Sequence, residues 1–243
     1  MANILYTMPY SAWSERARFA LLHHRWDFEE REHIPIVGEL ALQVRARRFF
    51  GRVTVPLLLV DGQAIIDSLA IAEHVDRNGT GSRLFPEPQR AAIHAFNVQL
   101  EPAFEAVRAR ALQSALADDE AALDLVPPAL RPLPFARTSG RLGARFVAWK
   151  HPTPSDGLQE RMRAALVLVR EALGGRDYVY GELSYADIIA STAVQLVAPV
   201  SDAYIRLGLV KRRTWADAAL AAEFSDLVAW RDALYAKHRP LPA

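Results

Sequence analysis

Ser11 and Ser14 stand three residues apart at a predicted strand-to-helix junction. Ile4, Leu5 and Tyr6 read as the strand. Ala17, Ala20, Leu21 and His24 follow with the i, i+3, i+4, i+7 spacing of an amphipathic helix. The two hydroxyls are spaced like the thiols of a C-x-x-C redox pair. A helix N-terminus offers free backbone N–H groups and a partial positive charge, so it stabilises an anion such as a thiolate. The chain has no Cys. A thiolate handled here would have to arrive on a ligand. Either serine could instead simply cap the helix.

A second group of polar residues lies downstream. Val55 and Pro56 open an apolar run, Leu57–Val60, which is joined by Asp61-Gly62 to Ala64–Ile66. Two apolar runs linked by Asp-Gly predict a tight type I′ hairpin. Asp67 and Ser68 then begin a short helix over 68–76. A third group, Leu183, Ser184, Asp187 and Ile188, has the spacing of a capping box with a hydrophobic staple. It reads as folding machinery, with Ser184 and Asp187 as the reciprocal pair.

These segments together resemble the glutathione S-transferases. Arg16-Ala-Arg-Phe-Ala-Leu21 is similar to the family's first-helix pattern R-x-R-x-A-L, Val55-Pro56 through Asp67-Ser68 to its V-P…D-G…[ED]-S segment, and Ser184–Asp187 to its internal N-capping box. The resemblance implies an α/β thioredoxin-like N-terminal domain followed by an all-α helical-bundle domain. It divides the chain into residues 1–78, a linker over 79–89, and residues 90–243. It places Ser11 where Ser-type members hold the glutathione sulfur, with Ser14 as the helix cap. Tyr6 and Tyr10 are rivals for that role, because other classes use a tyrosine near the end of the first strand. The resemblance further implies a cis Val55–Pro56 bond that offers the Val55 backbone to the cysteinyl unit of glutathione. Asp67 and Ser68 would take its γ-glutamyl end, and Arg52 its glycyl carboxylate. Two departures stand out: Asp67 replaces the common Glu, and two extra residues separate Arg52 from Pro56. Tyr10, Trp13, Glu101, Phe104, Arg108 and Leu112 are expected to line the pocket for the second substrate, an electrophile.

The reaction this implies is transfer of an alkyl or aryl group to the glutathione sulfur, with glutathione as co-substrate. Glutathione-dependent isomerisation is the alternative on the same fold. A non-catalytic module that binds protein partners is the alternative outside enzymes. A homodimer is expected from the family.

Composition bounds the remaining classes. In 243 residues, 51% hydrophobic and 23% charged describe a globular chain with a sizeable core. Twenty-nine basic against 28 acidic residues leave no excess for nucleic acid. The one basic run, Arg45–Arg52, reads as the solvated face of a helix over 39–50. No apolar stretch has membrane-spanning length, the start leads directly into a strand, and the absence of Cys fits a cytosolic protein. The seven His residues show no metal-ligand spacing, so no metal is expected. From residue 90 the pattern is helical: 91–117 with Pro102 inside it and a kink expected there, 158–173, 184–198 and 223–237. Pro127–Pro134 reads as an extended crossover or loop.

Overall fold

Strand β1 (Ile4–Thr7) pairs in parallel with β2 (Glu29–Glu32) and antiparallel with β3 (Leu57–Val60), which pairs antiparallel with β4 (Gln63–Ile66). The sheet order is β2-β1-β3-β4. The structure is a computed structural model that describes residues 3–241 except 37, 128, 129, 155 and 206. All four residues of β2 are exposed and charged, which suits an edge strand that must not recruit another. The β3–β4 turn has Asp61 at φ 48° and Gly62 at φ 78°, so both central residues take the positive φ that a type I′ turn requires.

Strand alternation sorts the sheet's two faces. Leu5 and Leu58, register partners, point to α1 (Ala12–His23) and α3 (Ser68–Asn78), where Ala17, Phe19, Leu21, Ile71 and Val75 complete the packing. Tyr6 and Leu57, one step along, point to the opposite face. There they meet Leu42 and Ala46 of α2 (Glu39–Ala46) and Val53. Helix α2 stops four residues short of the expected end. Arg47 takes a left-handed φ of 52°, and Phe49 and Phe50 turn into solvent. Arg47, Arg48 and Arg52, three of the run's four arginines, therefore lie beyond the helix and not on its face.

Residues 79–86 form turns and a 3-10 turn spans Glu87–Gln89. Helices follow: α4 (Arg90–Ala117), α5 (Asp119–Asp124), α6 (Ala136–Lys150), α7 (Leu158–Leu173), α8 (Tyr185–Val194), α9 (Gly208–Trp215), α10 (Ala218–Glu223) and α11 (Ser225–His238). Helix α4 is the spine of this region, and Pro102 lies inside it at a solvent-facing position. Every residue of α8 is buried. Helix α8 ends four residues before its predicted end, and 195–198 continue as tighter turns. Pro128 and Ala129 of the proline-rich segment lie outside the described residues. Its remainder makes successive turns, Leu133 N–H to Leu130 O and Ala136 N–H to Leu133 O, not an extended crossover. Among the described residues, no helix is long and apolar enough to cross a membrane.

The capping box of α8 is present. The Asp187 carboxylate accepts the Ser184 N–H and Oγ–H on one oxygen and the Val179 N–H on the other, each at 2.8 Å.

Candidate functional site

Three chain segments converge at one end of the sheet. Thr7 ends β1, Pro56 precedes the strand paired with it, and Asp67 N–H donates to the Pro56 carbonyl at 3.3 Å. The sheet register therefore brings the N-terminus of α1, the Val55–Pro56 peptide and the N-terminus of α3 together.

Ser11 is the N-cap of α1, with extended backbone, and its Oγ accepts the Ser14 N–H at 3.3 Å. The cap expected at Ser14 is thus at Ser11. Ser14 lies buried inside the first turn, where its Oγ accepts the Met8 N–H at 3.2 Å. Because Ser11 Oγ accepts from the helix, its own proton remains available to an outside acceptor. It is half-buried and open to such a partner.

The Val55–Pro56 bond is cis. Among the described residues, the Val55 backbone N–H and C=O make no hydrogen bond. Unpaired main-chain groups beside a strand can accept an added extended segment. Asp67 caps α3, its Oδ1 accepting the Leu69 and Ala70 N–H groups at 2.8 and 3.3 Å. Its φ of 87° is unusual for a residue with a Cβ, and such strain costs about 1–3 kcal/mol. Ser68 is buried beside the Tyr185 hydroxyl, which makes no well-aligned hydrogen bond among the described residues.

Arg16 carries more than its sequence pattern announced. It is fully buried, stacks 3.8 Å above the Phe104 ring, and donates to Glu101 (2.9 Å), Asn97 (3.1 Å) and Thr192 (3.2 Å). Among the described residues, its Nη2 has no hydrogen-bond partner. Periodicity assigns arginine to the surface, so only the R-x-R pattern could have marked it. Asn97, Thr192 and Tyr185 had no such signal.

The six residues expected around a second substrate fall in two places. Trp13, Glu101, Phe104 and Arg108 form one stack. Trp13 Nε1 donates to Glu101 at 3.0 Å, its ring tilts against Phe104, and the Arg108 guanidinium lies 5.1 Å from the Trp13 centroid. Both carboxylate oxygens of Glu101 are engaged, and Phe104 is buried beneath the layer. Leu112 is half-buried on the next turns of α4. Tyr10 faces elsewhere: it lines a cavity of about 30 Å³ with Ala111, Leu125, Lys211 and Trp215. The Lys211 ammonium lies 4.4 Å from its ring centroid. Burial, then the charges of Glu32 and Asp124, push the Tyr10 phenol well above its ordinary pKa, so it stays protonated.

Arg52 is exposed and donates to the carbonyl of Lys150 at the end of α6. Lys150 itself reaches between α2 and the loop before β3, bonding Glu39 (2.6 Å) and the Val53 carbonyl (3.0 Å). Next to it, His151 is lowered to about 4 by burial and then by Arg108, Lys150 and Arg52. Neither Lys150 nor His151 was expected from the sequence, because their partners Glu39, Val53, Arg108 and Arg52 are remote in the chain. Among the described residues, no group of three His, Asp or Glu could hold a metal.

Residues 5–83 match the family model for the glutathione S-transferase N-terminal domain. The whole chain superposes on solved structures of low identity. A Ceriporiopsis subvermispora glutathione S-transferase in complex with glutathione is 18% identical, covers 100% of this chain and 99% of its own, and gives a TM-score of 0.66. The β-etherase LigF from Sphingobium sp. strain SYK-6 is 19% identical, with 97% and 96% covered and a TM-score of 0.60. Glutathione transferase F7 from Populus trichocarpa is 18% identical, with 96% and 93% covered and a TM-score of 0.59. At this identity the superpositions establish the shared fold. No curated protein matches the sequence.

Proposed function

We propose that the chain binds glutathione and activates its thiol for attack on an electrophile, a reading supported by the match of residues 5–83 to the family model for the glutathione S-transferase N-terminal domain. The observation that carries this reading is Ser11: an N-cap whose oxygen faces the helix and whose proton is free. Free glutathione has a thiol pKa near that of cysteine, roughly 8.5. A hydrogen bond to the ionised sulfur, added to the positive end of α1, favours the thiolate. Ser11 acts as its donor and makes no bond to the substrate carbon. Conjugation then proceeds by sulfur attack, with the leaving group departing as an anion or, for an addition, the electron pair moving into the acceptor.

The rest of the half-site follows. The unpaired Val55 backbone takes the cysteinyl unit as an added strand, Asp67 and Ser68 take the γ-glutamyl ammonium and carboxylate, and Arg52 reaches the glycyl carboxylate. In this reading residues 1–78 carry the glutathione half, 79–89 the linker, and 90–243 the electrophile side. Trp13, Arg108 and Leu112 bound the electrophile pocket, with Glu101 and Phe104 holding its wall from behind, while Tyr10 lines the separate small cavity beside Lys211 and Trp215. The exposed Phe49 and Phe50 offer an apolar surface for a homodimer contact.

The test separates the two candidate hydroxyls. Ser11→Ala should lower turnover of an aryl halide about 10- to 100-fold, the worth of a hydrogen bond to a charged group, and leave the Kd for glutathione nearly unchanged. If Tyr10→Phe abolishes turnover while Ser11→Ala leaves it intact, the role belongs to Tyr10.

A further inference from the structure

Helix α1 has a second functional end. Its 12 residues rise about 1.5 Å each, so His23 lies roughly 18 Å from Ser11 along the axis. There the end of α1, the turn at 80–82 and the end of α11 enclose an open cleft of about 530 Å³, within the size range of small-molecule sites. It is lined by His23, Arg25, Lys237 and His238, by Thr80 and Ser82, and by little apolar surface besides Leu22 and Pro240. Among the described residues that line it, none is a carboxylate. The whole chain has a net charge of +1, so this grouping of bases is local and not a background excess.

Lys237 and His238 on the last turn of α11 also complement that helix's dipole. That effect reaches only one turn and accounts for neither Arg25 nor the concavity. Two of the bases are held in place from behind. The Tyr178 hydroxyl accepts from Lys237 Nζ at 2.8 Å and lies 2.8 Å from His238 Nε2, to which it can give its proton. His23 Nε2 lies 2.9 Å from the Ser82 carbonyl, so that nitrogen carries the proton. Gly81 makes the approach possible, because a Cβ there would sit 2.7 Å from the His23 carbonyl oxygen.

We propose that this cleft is a binding site for a small soluble polyanion of the phosphate-ester or diphosphate class, distinct from the glutathione half-site. Arg25 and Lys237 supply fixed charge, and the hydroxyls of Thr80 and Ser82 supply neutral donors. Anion binding recruits further charge from the imidazoles. Burial holds both His23 and His238 below the ordinary value. His24 adds to this at His23, and Lys237 and His23 at His238, while the hydrogen bond to the Ser82 carbonyl and then the charge of Asp76 oppose it at His23. Both rings are therefore neutral at pH 7 in the empty cleft. A bound anion favours their protonated forms, so binding takes up protons and tightens as pH falls.

The experiment is calorimetric titration of the full chain with inorganic pyrophosphate at pH 7.5 and 5.5, each in two buffers of different ionisation enthalpy. Expected are one saturable site, tighter binding and net proton uptake at the lower pH, and about tenfold weaker binding in Arg25→Gln and in Lys237→Gln. Both variants should keep the wild-type melting temperature and glutathione affinity. Absence of saturable binding overturns the proposal, as does binding that both substitutions leave unchanged. Capture of anionic phospholipid vesicles without pyrophosphate binding would assign the cleft to a membrane surface and overturn it too. Glutathione titration of the same samples reports separately on the other site.

Discussion

Two helix starts in this molecule use Ser and Asp in opposite ways. At α8, Asp187 is fully buried and both its oxygens are occupied, by the Ser184 N–H and hydroxyl and by the Val179 N–H. At α3, Asp67 is exposed, only Oδ1 caps the helix, and Oδ2 makes no hydrogen bond among the described residues. Its backbone is strained where that of Ser184 is ordinary extended chain. The first arrangement closes on itself and can serve only folding. The second leaves an exposed acceptor and a strained positive φ, which fits the ligand-binding role proposed for Asp67. The residue types match; satisfaction and exposure separate their roles.

The largest expected effect breaks the closed pair. Asp187→Ala leaves three buried donors without their acceptor, and it should destabilise the fold by about 2–5 kcal/mol in chemical denaturation. The protein that remains folded should bind glutathione with wild-type Kd. A variant that unfolds like wild type but has lost binding would erase the distinction drawn above.

The open pair is probed by Asp67→Gly. Glycine adopts the positive φ without strain and is a tolerable N-cap, so stability should change by less than about 1 kcal/mol. Glutathione affinity should fall roughly 10- to 100-fold, since a hydrogen bond to a charged group is lost. Unaltered affinity by calorimetry would return Asp67 to the class of Asp187.

A smaller effect concerns the contact between α6 and the N-terminal half. His151 titrates near 4 in the folded chain because burial and three cations oppose its protonation. In the unfolded chain it takes a proton near its ordinary value of about 6.5. The unfolded state therefore binds more protons between these values, and stability is lost as pH falls through that window. His151→Gln should flatten the melting temperature between pH 6.5 and 4 relative to wild type. Parallel pH profiles would show that another group controls this range.

Local chemistry made much of the N-terminal half legible. Asp61-Gly62 announced its turn, and the alternation of Leu57 and Leu58 followed from strand geometry. The α8 box was readable because its two partners lie three residues apart. The cap of α1 was not, since Ser11 and Ser14 are both competent. The choice depends on the Met8 N–H, which takes the Ser14 hydroxyl once the chain has turned. Arg16 and Lys150 were illegible for a related reason. Their burial is made acceptable by Glu101, Asn97 and Thr192 in one case and Glu39 and Val53 in the other, all remote in sequence. Helices α5, α9 and α10 were missed because helices of six to eight residues are set by neighbours more than by their own pattern, whereas α6, at 15 residues and amphipathic, was open to its periodicity and went unread.

In the proposed function, the free proton of Ser11 stabilises a bound thiolate. Ultraviolet titration of the thiolate of protein-bound glutathione, in wild type and in Ser11→Ala, measures this directly. Expected are a bound thiol pKa below roughly 8.5 in wild type and a return toward that value in Ser11→Ala, with glutathione still bound. An identical bound pKa in both proteins would contradict it.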